Sequence, residues 1–144
     1  MKLYLDNCCF NRPFDDQTQL RINLESQAKL AVQAMILNKE HTLVWSYMLE
    51  YENAQNPYEL RKDSIIKWKD LAEIRIEETE SILTNAEKLV EIGLKPKDAI
   101  HVACAAEARC DYFLTTDRGI LKKRIDRVNW RASVTLPASR TDTA

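Results

Sequence analysis

KDAIHVACAAEARCDYFLTTDRG, residues 97–119, decides how this chain folds. Pro96 suits the entry to a helix, and Asp98 falls in its first turn, where the helix dipole favours an anion. The run Ala99, Ile100, Val102, Ala103, Ala105, Ala106 is almost free of polar residues and predicts a central helix whose alanines allow close approach to a sheet. Tyr112–Leu114 then reads as a short buried strand that Thr115-Thr116-Asp117 leaves. A helix of about 12 residues rises roughly 18 Å, and a returning strand of about four or five residues covers a comparable distance. Asp98 and Asp117 can therefore finish at the same edge of a sheet. Asp111 precedes the strand, roughly 20 Å from Asp117 at ~3.3 Å per residue, and is expected to be structural.

The chain before this stretch supplies further acids at comparable places. Lys2–Leu5 is an apolar run suited to a buried strand, and Asp6-Asn7 follows it. An aspartate there stands where ligand crevices open at the carboxyl edge of a parallel sheet, and it equally suits a cap or turn. Pro13 and Asp15-Asp16 form a turn and a helix start. From Thr18 to Asn38, Leu20, Leu24, Ala28, Ala31, Val32, Met35 and Ile36 recur at helical spacing and predict a core-facing amphipathic helix. His41 reads as a surface loop histidine. Thr42–Trp45 is a second buried strand, and Ser46 can cap a helix ending before Pro57. On that helix Glu50 and Glu52 lie about 200° apart, so only one is expected to face a common site. Helix geometry leaves the choice between them open.

Tyr58–Asp70 predicts a charged amphipathic helix with Leu60, Ile65 and Trp68 on its apolar side. Glu73–Glu77 alternates like an edge strand, and a helix from Thr79 or Ser81 stops at Gly93. Beyond Asp117 come a short basic helix and a last strand, Ala132–Leu136. Strands separated by helices imply an α/β fold: a three-layer sandwich with a mainly parallel central sheet flanked by helices. One domain is expected over residues 1–137, with a polar, disordered tail at 138–144.

Composition narrows the function. Net charge is −1, so any nucleic-acid contact must rest on local patches. One such patch, Arg118, Lys122, Lys123, Arg124, Arg127 and Arg131, follows Asp117 directly, and Arg12 near Asp6 is a second candidate. No apolar run approaches the ~18 residues of a membrane span, and a signal-peptide pattern is lacking, so a cytoplasmic protein away from the membrane is expected. Cys8, Cys9, Cys104 and Cys110 show no CxxC spacing and are expected as reduced thiols. With 2 glycines in the chain, phosphate-cradling loops are excluded, which weakens a nucleotide-binding reading.

Asp6, Glu52 (or Glu50), Asp98 and Asp117 thus stand at crevice positions. Clustered carboxylates repel one another and raise their own pKa values unless a cation joins them. Mg²⁺ or Mn²⁺ takes such oxygen ligands and supports phosphodiester hydrolysis. His101, three residues after Asp98, can approach the site, with packing or a simple hydrogen bond as its expected role.

LYLDNCCFNRP, VWSYMLEYE and PKDAIHVACAAEARCDYFLTTDRG together resemble the PIN-domain family, the fold of many toxin-type ribonucleases. The resemblance implies an acidic site at Asp6, Glu52, Asp98 and Asp117. It favours Glu52 because the family commonly places its glutamate about six residues beyond the serine after the second strand. Thr115 and Asn7 match supporting positions. It further implies Mg²⁺ or Mn²⁺ dependence, an RNA substrate, an antitoxin partner and a homodimer. The competing expectation is a non-catalytic PIN-like module that binds RNA or protein.

Overall fold

The computed structural model describes residues 1–121 and the strand at 133–135. Five strands form one sheet, β1 (Lys2–Leu5), β2 (Thr42–Ser46), β3 (Ile74–Ile76), β4 (Tyr112–Leu114) and β5 (Ser133–Thr135), in the order β3-β2-β1-β4-β5. Every pairing is parallel. Strand order reverses beside β1, so the gap between β1 and β4 is the switch point where α/β sheets open a crevice at their carboxyl ends. In register, Leu5 lies opposite Leu114, which brings the residues after both strands together. Asp111 sits at the other edge, where Lys2 N donates to its Oδ2 at 2.8 Å.

The helices are α1 (Asn7–Asn11), α2 (Leu20–Leu37), α3 (Tyr47–Ala54), α4 (Glu59–Leu71), α5 (Glu80–Glu91), α6 (Pro96–Glu107) and α7 (Arg118–Leu121). Right-handed crossovers place α1–α4 on one face of the sheet and α5–α6 on the other, giving three layers. On the first face Phe10 meets the Trp45 and Trp68 rings at 5.8 and 6.4 Å between centroids. On the second, Tyr4 and Phe113 stack at 5.3 Å beneath α6. Helix α6 lies close to the sheet because Ala99, Ala103 and Ala105 carry no bulk, and all three are fully buried.

Helix α5 ends in a Schellman motif: Gly93 N donates to Val90 O at 2.9 Å and Leu94 N to Leu89 O at 3.1 Å. Gly93 has φ 106°, a value that suits glycine. This turn fixes where α6 starts and so where Asp98 stands. The same motif closes α6 on Arg109, at φ 55°.

Three expectations need correction. The turn after β1 contains a helix, α1, that its five-residue length hid from periodicity. Helix α2 presents only part of the expected apolar stripe: Ala28 and Ile36 are buried and Val32 packs on the core, but Leu20, Leu24 and Met35 are 73%, 48% and 40% exposed, while Glu25, Ser26, Lys29 and Gln33 are buried. Polar partners turn the helix that way. Glu25 lies 3.5 Å from both Arg12 Nε and Arg21 Nε, and Ser26 Oγ donates to Arg12 O at 3.0 Å. On α4, Ile65 is buried as expected, but Leu60 is 82% exposed.

Lys29 carries its Nζ 5.2 Å from the Phe10 ring centroid and 5.7 Å from that of Trp68. Burial pushes this ammonium from 10.5 down to about 7. Between those values the unfolded chain holds a proton that the folded chain has released, so this group's contribution to stability rises with pH across the window. Lys29→Met is expected to stabilise the fold at pH 7 by about 2 kcal/mol, the burial penalty less the lost cation–π contact. The gain should fade by about pH 10.5, and urea melts across that range check it. Arg109→Gly is expected to add about 0.5–1 kcal/mol by relieving the left-handed backbone, measurable in the same melts.

Candidate functional site

Asp6 does two things at the carboxyl end of β1. It caps α1, its Oδ1 accepting from Asn7 N at 2.8 Å, and its N–H extends the sheet ladder to Leu114 O at 2.9 Å. The cap and the crevice aspartate are the same residue. Its Oδ2 accepts from Thr115 Oγ1 at 2.9 Å, and Thr115 Oγ1 in turn accepts from Asp117 N at 3.0 Å. Thr115 is fully buried, so this one hydroxyl ties the ends of β1 and β4 together away from water. Cys8 Sγ lies 3.5 Å from both Asp6 Oδ2 and Thr115 Oγ1. Nothing in cysteine spacing signalled that position.

Asp117 is half-buried and accepts from Gly119 N at 2.7 Å. A Cβ at Gly119 would stand 3.0 Å from Asp117 Oδ1, so glycine there leaves the carboxylate its space. Asp98, in the first turn of α6, shares with Asp117 a cleft of ≈ 370 Å³ whose other walls include Leu94, Lys95 and Ile120. Among the described residues nothing hydrogen-bonds the Asp98 side chain. Burial pushes its carboxyl up to about 6, reinforced by repulsion from Asp6, Asp117 and Glu52 and opposed by His101.

Glu52 and Glu50 part ways on α3. Glu50 pairs with Lys69 of α4, away from these acids. Glu52 turns toward them: Oε2 accepts from Asn7 Nδ2 at 3.3 Å, and Oε1 contacts His101 Nε2. Burial alone would raise the Glu52 carboxyl, but the hydrogen bond and charge of His101, with Lys97 and Asn7, hold it below the usual value. Burial likewise disfavours the His101 cation, and the Glu52 bond with the charges of Asp6, Glu52 and Asp98 outweighs it, lifting the imidazole above 6.5. His101 Nε2 lies 3.8 Å from Asp6 Oδ1. It is a member of the cluster, where spacing alone had pointed to packing or a simple hydrogen bond.

Arg12 spends its guanidinium within the protein, on Thr116 Oγ1 at 2.9 Å, Asp15 Oδ2 at 3.3 Å and Glu25. Arg118 is exposed at the start of α7. Lys122, Lys123 and Arg124, with Arg127 and Arg131, lie outside the described residues, as does the tail at 138–144.

The donor set is all carboxylate and hydroxyl oxygen, which matches a hard divalent cation, and the mutual repulsion felt at Asp98 is the kind that such a cation relieves. As arranged, no three acidic, histidine or cysteine side chains among the described residues close a ligand shell. The residues fit by chemistry and by field, with Asp98 the side chain least restrained by hydrogen bonds. No helix among the described residues is long and apolar enough to cross a membrane.

The solved structure of VapBC2 from Rickettsia felis, bound to a DNA fragment from their promoter, is similar, with a TM-score of 0.57 at 11% identity over 94% of this chain and 98% of that one. FitAcB from Neisseria gonorrhoeae is similar at a TM-score of 0.62 and 14% identity, covering 94% of this chain and 97% of that one. No curated protein matches the chain. The model of the PIN domain matches residues 3–126. With its parallel sheet, its switch-point acids and that match across most of its length, the chain belongs to the PIN-domain family.

Proposed function

We propose that this chain is a metal-dependent endoribonuclease that hydrolyses RNA phosphodiester bonds in the cytoplasm. The observation that supports this best is the Asp98 carboxyl. It stands half-buried on one helix, where burial raises it most and Asp6, Asp117 and Glu52, from three other places in the chain, raise it further. A protein that only gripped phosphate would have no use for a concentrated negative field. Asp6, Asp98 and Asp117 are the residues to hold Mg²⁺ or Mn²⁺, with Glu52 completing the acid set. The bound cation would act as Lewis acid toward the phosphodiester and as activator of water. Thr115 keeps Asp6 and the Asp117 backbone in fixed relation. Arg118 offers positive charge beside the cleft for the RNA backbone, and Lys122, Lys123 and Arg124 follow it in the sequence as further candidates. Arg12, the other basic candidate, has its guanidinium engaged by Thr116, Asp15 and Glu25, so its part here is to brace the loop at Thr116.

The same reading carries a protein antitoxin and a homodimer as partners. Leu20, Leu24, Leu30 and Leu37 leave apolar surface exposed on α2, which suits protein contact.

Asp98→Asn and Asp117→Asn are each expected to lower cleavage of a mixed RNA in Mg²⁺ or Mn²⁺ by at least ~100-fold, with Asp111→Asn near wild type. Cleavage that survives both substitutions and added chelator would sink the mechanism. Steady RNA binding without metal, and without cleavage, would support the binding-module alternative.

A pH effect follows from the raised Asp98 carboxyl. The folded chain keeps this proton up to about pH 6, whereas the unfolded chain loses it near 3.8. The penalty for burying this charge beside the other acids is therefore absent well below pH 4 and fully present above about pH 6. Without added metal, Asp98→Asn should raise the melting temperature at pH 7.5, and the gain should vanish below about pH 4. Mg²⁺ should raise the melting point of the wild-type chain and not that of the variant.

A further inference from the structure

Tyr4, Ser46 and His101 are each fully buried, and they are polar. Tyr4 OH lies 2.6 Å from Ser46 Oγ and 2.5 Å from His101 Nδ1. Ser46 Oγ accepts from Leu49 N at 3.2 Å, capping the helix that bears Glu52. His101 Nε2 contacts Glu52 Oε1, and Asn7 Nδ2 takes Oε2. Both oxygens of Glu52 therefore have protein partners. The cleft walls carry Asp98 and Asp117 but neither Glu52 nor Asp6, and what sets Glu52 apart from Asp6 is its direct bond to the buried His101 ring, which Tyr4 holds in turn.

The chain of bonds is self-consistent in either charge state of the ring. An ionised Glu52 only accepts, so Nε2 carries the proton in both. With a neutral ring, Tyr4 donates to Nδ1 and Ser46 donates to Tyr4. With a charged ring, Nδ1 donates to Tyr4 and Tyr4 donates to Ser46. The bond to Glu52 is the same in both. An unpaired group in this dry interior would cost roughly 1–3 kcal/mol, which holds the four residues to one arrangement.

We propose that Glu52 serves from outside the cation's ligand set, and that His101, braced by Tyr4 and Ser46, is the positioning residue that keeps it there. This rests on the metal-dependent reading above. Asp6, Asp98 and Asp117 would then hold the ion, and Glu52 would supply a fixed carboxylate beside it for orienting water. Outer partners of this kind typically tune a site by about 10–100-fold.

The test uses the full chain. Of its 2 histidines, His101 is assigned by the loss of its imidazole signals in His101→Gln. Its Nε2–H proton is expected far downfield and slow to exchange in the NMR spectrum. It should stay in place at saturating Mg²⁺ while the backbone amides of Asp98 and Asp117 shift. Loss of that resonance on adding Mg²⁺ means that Glu52 has moved to the ion, and overturns the proposal. In kinetics, His101→Asn, which keeps the Tyr4 side and drops the Glu52 side, should lower kcat about 100-fold with KM for RNA and Mg²⁺ affinity changed less than about twofold. His101→Gln restores a donor to Glu52 and should recover kcat to within about fivefold of wild type. The Glu52→Gln/His101→Asn double variant should be no worse than Glu52→Gln alone, as expected for residues acting as a unit. Unchanged kcat in His101→Asn, or a fall of about tenfold or more in Mg²⁺ affinity in Glu52→Gln, overturns the assignment. A chain in which Mg²⁺ moves neither the Asp98 nor the Asp117 amide overturns the proposed function and this inference with it. That result is distinguishable from a failure of the His101 role alone.

Discussion

The hydroxyl of Thr115 is the joint on which the site depends. It donates to Asp6 Oδ2 and accepts from Asp117 N, at 2.9 and 3.0 Å, from a position with no exposure to water. A hydroxyl has a single proton to give, so the direction of both bonds is set once Asp6 is ionised. Neighbouring parallel strands β1 and β4 bring the groups within reach, and the ladder bond from Asp6 N to Leu114 O locks their register. A slip of one residue would turn Asp6 to the opposite face and separate it from both. The site is therefore built into the sheet.

Around that joint the acids fall into two kinds. Asp6 and Glu52 are held by several donors each: Asn7 N, Thr115 and Cys8 on one, His101 and Asn7 Nδ2 on the other. Asp98 has no such donor among the described residues, and burial first, then the charges of the other acids, push its carboxyl up to about 6. A raised carboxyl on an unrestrained side chain beside a cleft suits the cation site proposed above, in which the held acids would give geometry and the free one affinity.

Much of this was legible in the sequence because it follows from period and punctuation. The alanine-rich run, the strand ending in Thr-x-Asp, and Gly93 as the stop of α5 each rest on local rules that the packing obeys. Helix α2 was misread for a tertiary reason. Glu25, Ser26 and Lys29 count as outward residues in any hydrophobic pattern, but Arg12, Arg21 and two aromatic rings supply partners from distant parts of the chain. Helix α1 is too short for periodicity, although the cap reading of Asp6 was open in the sequence and the aspartate proves to be both cap and crevice residue. Helix geometry left Glu52 and Glu50 open and the family resemblance favoured Glu52; in the structure Lys69 and His101 claim one each. Spacing gave the place of His101 and could not give its direction.

His101 shows why that direction matters. A buried imidazole between a tyrosine hydroxyl and a glutamate is costly unless every donor and acceptor is matched, and here each is. Removing either neighbour would strand the others in a dry interior. Such closure restricts Glu52 to one orientation without any contact from the cleft side, so its geometry is set before a ligand enters. The two faces of the sheet meet in this arrangement: Tyr4 reaches from β1 and His101 from α6, while Ser46 caps α3 and Glu52 lies further along that helix. A site assembled from groups that complete one another's hydrogen bonds is rigid where it must orient, and the acids left outside that closure are those placed to adjust.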